Sequence, residues 1–414
     1  MSFKHELQRQ GLERIFALAK TMPFAVTFWD QTTRQYGQGM PRFRLILYDP
    51  AVFDRLKENF EIGFGEAYMD SLFDVEGDLA DLLTAASETL AHIVNVGDGL
   101  TKSYPLMASL AQQFQAVSAR HSSRRSPRKQ TQDVVTHYDL SNDFFRLWLD
   151  ETLVYSCAYF RSPTDTLEQA QRQKIEHSLR KLRLIPNETL LDIGCGWGGL
   201  VIQAAGAHGA RALGITLSSE QYSGACQRIH AAGLEERADV RLDHYHALAR
   251  EGKRFDKIAS IGMVEHVCKA HLGEFTQDVA KLLRPGGLAL LHMITSPVEG
   301  PFSPWLEKHI FPGAYLPTVA EMTRHFADAN LHVQDVENLR PHYQRTLDHW
   351  SERFEAVAPQ VEAMFDARFV RMWRLYLRSS SASFRVGTSA IHQFLVSNGP
   401  TNALPLTRED LYAV

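Results

Sequence analysis

A short apolar segment followed at once by closely spaced glycines constrains the fold of this chain more than any other feature. Residues 190–193 (Leu-Leu-Asp-Ile) have the length and composition of a buried strand, and residues 194–199 read Gly-Cys-Gly-Trp-Gly-Gly. Glycines let the backbone approach a ligand closely where a parallel strand leads into a helix. The sequence therefore predicts a ligand-binding turn at the carboxyl end of a buried strand.

The turn lies within a longer alternation of short apolar segments and amphipathic helical stretches, which begins near residue 133. This alternation is typical of an α/β fold with a doubly wound, Rossmann-like parallel sheet. The predicted strands are 189–193, 211–216, 239–242, 257–261, 288–294 and 333–337.

The length of 414 residues predicts more than one domain, because single cores stop growing near ~250–300 residues. Residues 1–117 have the pattern of a smaller α+β domain, and 133–414 form the larger α/β domain. Between them, 118–132 is rich in serine and basic residues and almost free of apolar ones, which predicts an exposed linker. Its five cations are Arg120, Arg124, Arg125, Arg128 and Lys129.

Composition narrows the possible environments and partners. The net charge of −4 and the single short basic tract disfavour a nucleic-acid partner. The four cysteines show no metal-ligand spacing, so no metal site is expected, and a reducing cytoplasm fits them best. No apolar segment approaches the ~18–20 residues of a membrane span, which leaves peripheral contact as the expected mode of membrane association.

The position of one acidic residue distinguishes two cofactor classes. A dinucleotide site requires an acid at the end of the second strand, and that position is Thr216. The acid stands instead at Asp192, and the resulting Asp-x-Gly-x-Gly-x-Gly pattern resembles the first motif of S-adenosylmethionine-dependent methyltransferases. Downstream, residues 214–221 place hydroxyl and amide side chains where a nucleoside could lie, although Ser218 is equally suited to cap a helix.

Three further segments resemble the cyclopropane-fatty-acid synthases, namely 137–160, 260–267 (Ser-Ile-Gly-Met-Val-Glu-His-Val) and 311–317 (Phe-Pro-Gly-Ala-Tyr-Leu-Pro). The likeness extends from about 133 to 397, and the additional N-terminal domain resembles the longer bacterial enzymes. It implies transfer of a methylene group from S-adenosylmethionine to a cis double bond of acyl chains in membrane phospholipid. It also implies a homodimer in peripheral contact with the inner face of the cell membrane.

The same resemblance implies two sets of site residues. Those that would contact S-adenosylmethionine are Tyr155, Ser156, Asp192, Gly194, Gly196, Thr216, Gln221 and Tyr245. Those that would hold a bicarbonate ion as the catalytic base are Cys157, Glu265, His292, Ile294 and Tyr343.

Methyl transfer to an alkene produces a carbocation, which requires a dry pocket, a stabilising charge and a base. The fate of that cation leaves alternatives open, because a hydride shift or the loss of a different proton gives a methyl- or methylene-branched chain. A third possibility is a lipid-binding or lipid-transfer protein without catalytic activity. The intact set of Glu265, His292 and Tyr343 favours cyclopropanation.

Overall fold

The structure, a computed structural model, describes residues 3–19, 22–96, 140–402 and 404–412. The basic tract of 118–132 lies outside these residues. The chain forms two compact units: Met1–His121 with Pro301–Ile310 and Trp350–Thr388, and Ser122–Gly300 with Phe311–His349 and Ser389–Val414. The sequence-based division assigned 301–310 and 350–388 to the larger domain, whereas in the structure they pack in the first unit.

The first unit begins with a small α+β arrangement. Its sheet has the strand order β2-β1-β3-β4, in which β1 and β3 are parallel and the other pairs are antiparallel. The elements are α1 Phe3–Phe16, β1 Phe24–Thr27, β2 Thr33–Tyr36, β3 Phe43–Leu47, α2 Ala51–Glu58, α3 Phe60–Met69, β4 Phe73–Gly77 and α4 Leu79–Val96.

The described residues from 140 onward contain the remaining helices and strands. The helices are α5 Asn142–Arg146, α6 Leu167–Lys181, α7 Gly199–Gly206, α8 Ser219–Ala231, α9 Tyr245–Arg250, α10 Leu272–Leu282, α11 Pro304–His309, α12 Val319–Asp328, α13 Arg340–Met364, α14 Ala367–Val386 and α15 Glu409–Tyr412. The strands are β5 Thr189–Ile193, β6 Arg211–Thr216, β7 Ala238–Leu242, β8 Phe255–Ile261, β9 Leu283–Thr295, β10 Leu331–Asn338 and β11 Ala390–Asn398.

Specific contacts explain why two later segments pack in the first unit. A side chain on Gly65 of α3 would collide with the indole of Trp305 in α11, since an added Cβ would lie 2.1 Å from Nε1. Arg371 of α14 donates from Nη2 to the Phe73 carbonyl at 2.9 Å, and its guanidinium lies 4.0 Å from the centre of the Tyr68 ring. These contacts join residues far apart in sequence, so a linear division cannot anticipate them.

The second unit is built on a seven-stranded sheet with the order β10-β11-β9-β8-β5-β6-β7. The strands from β9 to β7 are parallel, which confirms the predicted α/β fold. One strand was not predicted: β11 enters between β9 and β10 and is antiparallel to both. Leu190 and Leu191, adjacent on β5, belong to different buried clusters, so this strand is covered on both faces.

The strand order places the carboxyl ends of β5 and β8 at the centre of the sheet. In doubly wound sheets, ligands bind outside the carboxyl ends of the strands, where the strand order reverses. β5 has later strands on both sides, β6 and β8, so the predicted glycine turn lies at this switch point. Among the described residues, no helix combines the length and apolar character needed to cross a membrane.

Candidate functional site

The turn after β5 borders a cavity at the carboxyl edge of the sheet. The cavity holds about 1100 Å³ of space between atoms, its opening to solvent included. Gly194 and Gly196 have φ angles of +81° and +55°, a conformation that side chains disfavour. A Cβ added to Gly196 would meet no atom within 4 Å, so it would project into open space beside the cavity that this residue lines. The backbone of this turn therefore forms an open cradle, which leaves room for a ligand to approach it closely.

All the residues predicted to contact S-adenosylmethionine line this one cavity. They come from the segment before α6, from the turn after β5, from the β6–α8 connection and from the start of α9. They are Tyr155, Ser156, Asp192, Gly194, Gly196, Thr216, Gln221 and Tyr245. Residues separated by up to 90 positions in the chain thus meet at the switch point.

The β6–α8 connection combines a helix cap with a hydrogen bond between two side chains of the cavity. Ser218 caps α8, with its hydroxyl accepting from the Gln221 N–H at 3.3 Å, as the sequence allowed. The Thr216 hydroxyl donates to Gln221 Oε1 at 2.8 Å. This bond fixes the amide, so that Gln221 presents a defined donor end in the cavity.

Lys174 of α6 is a residue of the cavity that the sequence did not reveal. Its Nζ donates to Ser156 Oγ at 2.9 Å, and it interacts electrostatically with Asp192. Burial lowers the pKa of Lys174 to about 8. Burial also raises the pKa of Asp192, to about 7, and the positive charge of Lys174 partly opposes this increase. No sequence signal distinguishes this lysine, because α6 also carries Lys181 and two arginines.

The same helix fixes the segment that leads into the cavity. Gln171 donates from Nε2 to the Val154 carbonyl at 3.2 Å and to the Ser156 carbonyl at 2.9 Å. The Thr166 side chain and Gln169 form a capping box at the start of α6. A well-defined helix therefore holds Tyr155 and Ser156 against the glycine turn.

Three of the residues predicted to hold an anion lie on β9 or just after β8, namely His292, Ile294 and Glu265, and we call them the anion-binding group. β8 ends at Ile261, which pairs with His292, so Ile294 on β9 lies beyond the end of its neighbouring strand. The Ile294 N–H donates to Glu265 Oε1 at 2.7 Å, so the carboxylate takes the place of a strand carbonyl as its acceptor. The other carboxylate oxygen, Oε2, is buried and has no hydrogen-bond partner among the described residues. Burial raises the pKa of Glu265 to about 7.

His292 lies on the same strand, two positions before Ile294. Its Nδ1 is 3.2 Å from Nε2 of Gln393 on β11, while its Nε2 is buried and unpartnered within the described part of the chain. Burial lowers the pKa of His292 well below the ordinary histidine value. Glu265 Oε2 and His292 Nε2 are thus two buried polar atoms without a partner in the described part of the chain, which is costly unless a ligand pairs with them.

Cys157 and Tyr343 are the remaining two residues of the predicted set. Cys157 is fully buried, and burial raises the pKa of its thiol, so it remains protonated. The next residue, Ala158, donates its N–H to Thr346 Oγ1 at 3.0 Å. This bond ties the Cys157 segment to α13, the helix that carries the half-buried Tyr343.

Comparison with known proteins identifies the family. Residues 125–394 match the model of the mycolic acid cyclopropane synthetase family. The chain belongs to this family. It is accordingly an S-adenosylmethionine-dependent methyltransferase with a Rossmann-like fold. Residues 12–95 match a separate domain of unknown function.

Two full-length relatives and one solved structure define the similarity. A protein of Pseudomonas putida, named "Probable fatty acid methyltransferase", is 35% identical, with 94% of this chain and 96% of the relative covered. The cyclopropane-fatty-acyl-phospholipid synthase of Escherichia coli K12 is 32% identical, with 87% and 89% covered. A crystal structure of a mycolic acid cyclopropane synthase complexed with SAH and CTAB has a TM-score of 0.61 and 33% identity, over 64% of this chain and 98% of that one.

Proposed function

We propose that this methyltransferase adds a methylene group from S-adenosylmethionine to the cis double bond of unsaturated acyl chains in membrane phospholipid, forming a cyclopropane. The observation that carries this proposal is a pair of buried atoms, Glu265 Oε2 and His292 Nε2, that have no hydrogen-bond partner among the described residues. Residues near Glu265 in sequence, Met263 and His266, line the cavity. A methyltransferase that only alkylates a good nucleophile has no need of such a group. Ring closure needs one, because a proton must be removed from the transferred methyl group.

S-adenosylmethionine, when bound, supplies a methyl group on a positively charged sulfur. Within the cavity, the open cradle at Gly196 and the acceptor Asp192 are suited to its charged centre. The amide end of Gln221, fixed by Thr216, is suited to the ribose hydroxyls. Tyr245 is nearly buried and offers a ring face to the adenine.

The polar atoms of the anion-binding group fit a small oxyanion such as bicarbonate. Glu265 Oε2 can accept a hydrogen bond from a protonated oxygen, and a protonated His292 Nε2 can donate to an unprotonated one. Bicarbonate, when bound, is the base that takes the proton lost on ring closure. Glu265 and His292 hold and orient it, with the Cys157 segment and Tyr343 as further neighbours.

The reaction balances with these parts. The π electrons of the alkene would form a bond from one carbon to the sulfonium methyl group as the S–CH₃ bond breaks. This would release the neutral thioether and leave a positive charge on the other alkene carbon. Loss of one proton from the new methyl group provides the electron pair for the third bond of the ring, so the chain gains one CH₂. The cation survives only if water is excluded, and the buried surroundings of His292 and Cys157 favour that.

A methyl- or methylene-branched product is the alternative outcome of the same cation. The name of the Pseudomonas putida relative, a fatty acid methyltransferase, is the observation that favours it. Both outcomes share the cofactor and the acyl substrate. They differ in which proton or hydride moves after methyl transfer, so the product distinguishes them.

Replacement of Glu265 tests the role of the anion-binding group. We expect Glu265→Gln, assayed with S-adenosylmethionine and vesicles of cis-unsaturated phospholipid, to lower turnover on the order of 10²–10⁴-fold, because an oriented base is lost. The calorimetric affinity for S-adenosylmethionine should be retained. Glu274→Gln, at an exposed position of α10, is the matched control and should leave turnover unchanged. A Glu265→Gln rate near that of the wild type would exclude this role.

A further inference from the structure

A series of buried, hydrogen-bonded polar side chains connects α6, β11 and β9, and it ends at His292 of the anion-binding group. Gln393 lies directly opposite His292 across the antiparallel β9–β11 pair, so the two side chains share a face of the sheet. Gln393 Nε2 is 3.2 Å from His292 Nδ1 and 3.5 Å from Ser178 Oγ on α6. All three side chains are completely buried. No solvent is therefore needed to define their hydrogen bonds.

Ser178 determines which groups donate and which accept in this series of hydrogen bonds. The Ser178 hydroxyl donates to the carbonyl of Lys174, one helical turn earlier, at 2.8 Å. A serine hydroxyl has a single hydrogen, so its oxygen can only accept from any other neighbour. The end of the Gln393 amide that faces Ser178 must therefore be the NH₂ group.

The orientation of the amide then fixes the protonation of the histidine. The NH₂ group has two hydrogens, one for Ser178 Oγ and one for His292 Nδ1. Nδ1 must accept, and a neutral imidazole that accepts at Nδ1 carries its proton on Nε2. Nε2 is the ring nitrogen left without a partner among the described residues.

The surroundings keep this imidazole neutral. Burial is the largest influence that lowers its pKa, and the neighbouring Lys174, Lys181 and His177 of α6 act in the same direction. Glu337 of β10 opposes them, but it is itself paired with Lys181 and with His177. A second proton on His292 is thus disfavoured, and the tautomer is the only variable left.

We propose that Gln393, oriented by Ser178, is a positioning residue that holds His292 as the Nε2–H tautomer and so makes it a hydrogen-bond donor to the catalytic anion. The consequence for the anion rests on the proposed function, whereas the tautomer does not. Without Gln393, the ring loses the contact that selects Nδ1 as acceptor. A ring protonated on Nδ1 would present a lone pair, which repels an anion, at Nε2.

Nitrogen NMR of the protein labelled with ¹⁵N-histidine tests the tautomer directly. The His292 signals are assigned by their loss in His292→Gln, and the wild type should show a neutral ring protonated at Nε2. Gln393→Met removes both amide donors at similar volume and should give a mixture of tautomers. Ser178→Ala does not alter any group that touches His292, yet it should also give a mixture, because the amide is then free to turn over. A role for Ser178 in packing alone would not change the ring.

Ser397→Ala is the matched control. Ser397 is a buried hydroxyl on β11 that accepts from Gln334 and donates to Gly399, away from His292. It should leave the His292 signals unchanged. A wild-type His292 protonated at Nδ1, or a tautomer unchanged in Gln393→Met and in Ser178→Ala, would overturn the proposal. Should Gln393→Met not fold, the wild-type spectrum and Ser178→Ala still decide.

Kinetics in buffer depleted of carbon dioxide test the consequence for the anion. We expect Gln393→Met to raise the bicarbonate concentration for half-maximal activity about tenfold, the equivalent of one hydrogen bond, with unchanged affinity for S-adenosylmethionine. An unchanged bicarbonate requirement in this variant would contradict the link between tautomer and anion. Wild-type activity that does not depend on bicarbonate would instead show that the proposed function is wrong to include a catalytic anion. The NMR result would still decide the tautomer of His292.

Discussion

At the scale of single residues, two glycines with the same backbone conformation allow an effect on cofactor binding to be distinguished from an effect of backbone strain. Gly196 has a φ of +55° and lines the cavity, whereas Gly233, which follows α8, has a φ of +65° and is not among its lining residues. An added Cβ meets no atom within 4 Å at either position. Substitution by alanine therefore imposes a similar backbone cost, about 1 kcal/mol, at both.

The affinity for S-adenosylmethionine should distinguish the two variants. Gly196→Ala places a methyl group where the cofactor approaches the backbone, and we expect a roughly ten- to hundredfold weaker affinity by calorimetric titration. Gly233→Ala should bind as the wild type does, with a similar loss of thermal stability. Equal affinity in the two variants would remove the glycine turn from the cofactor site.

Glu265 should make the stability of the protein without ligands depend on pH. Its pKa is raised from 4.5 to about 7 by burial, so between these values the folded state binds a proton that the unfolded chain releases. Stability therefore falls as pH rises through this window, by on the order of 3 kcal/mol in total. Glu265→Gln should be more stable than the wild type at pH 8 but similar at pH 4.5, as measured by urea unfolding. A difference that is the same at both pH values would contradict the raised pKa.

Sequence and structure reveal different kinds of residue at this site. Asp192 and the glycines were predicted because ligand-binding turns require those residue types at that spacing. Lys174 and Gln393 were not predicted, since their importance comes from complete burial and from partners on other elements. A polar side chain in a helix or strand looks the same in a sequence whether it is exposed or buried.

At the scale of secondary-structure elements, α6 serves both parts of the site. One of its faces carries Lys174 to Asp192 at the cofactor cavity and Ser178 to Gln393 behind His292. The same helix also carries apolar residues and several charged ones that are exposed or half-buried, and this mixture is why its sequence indicates an ordinary amphipathic helix.

The charge of Lys174 should control the ionisation of Asp192. Lys174→Met removes the cation that lowers the pKa of Asp192, so this carboxyl should be largely protonated at pH 7. We expect an affinity for S-adenosylmethionine about tenfold weaker at pH 7 and closer to the wild-type value at pH 9. Lys257→Met, in the same unit but outside the cavity lining, is the control. Wild-type affinity of Lys174→Met at pH 7 would contradict this coupling.

The strands were predicted more accurately than their arrangement. Short apolar segments mark the buried parallel strands, which are covered on both faces. β11 was missed because it follows the long helices α13 and α14. Its hydrogen bonds are made to β9, about a hundred residues earlier in the chain, and to β10, about sixty residues earlier. Such long-range pairing is not encoded in local periodicity.

At the scale of the whole molecule, the proposed function requires the enzyme to reach acyl chains inside a bilayer. We expect the five cations of 118–132, which lie outside the described residues, to attract an anionic membrane surface. Each cation near such a surface contributes roughly 1 kcal/mol, and salt weakens the attraction. Sedimentation with anionic vesicles should therefore decrease as salt increases, and decrease further when all five are changed to glutamine. If this variant sediments like the wild type at every salt concentration, the tract is only a tether.

The identity of the acyl product tests the proposed reaction most directly. The purified protein is incubated with S-adenosylmethionine labelled with ¹³C in its methyl group and with vesicles of cis-unsaturated phospholipid, and the recovered acyl chains are analysed by mass and proton spectra. We expect each modified chain to gain one labelled CH₂, with loss of the vinyl protons and appearance of cyclopropane protons. Labelled methyl or exocyclic methylene signals, or chains without label, would contradict cyclopropanation of phospholipid.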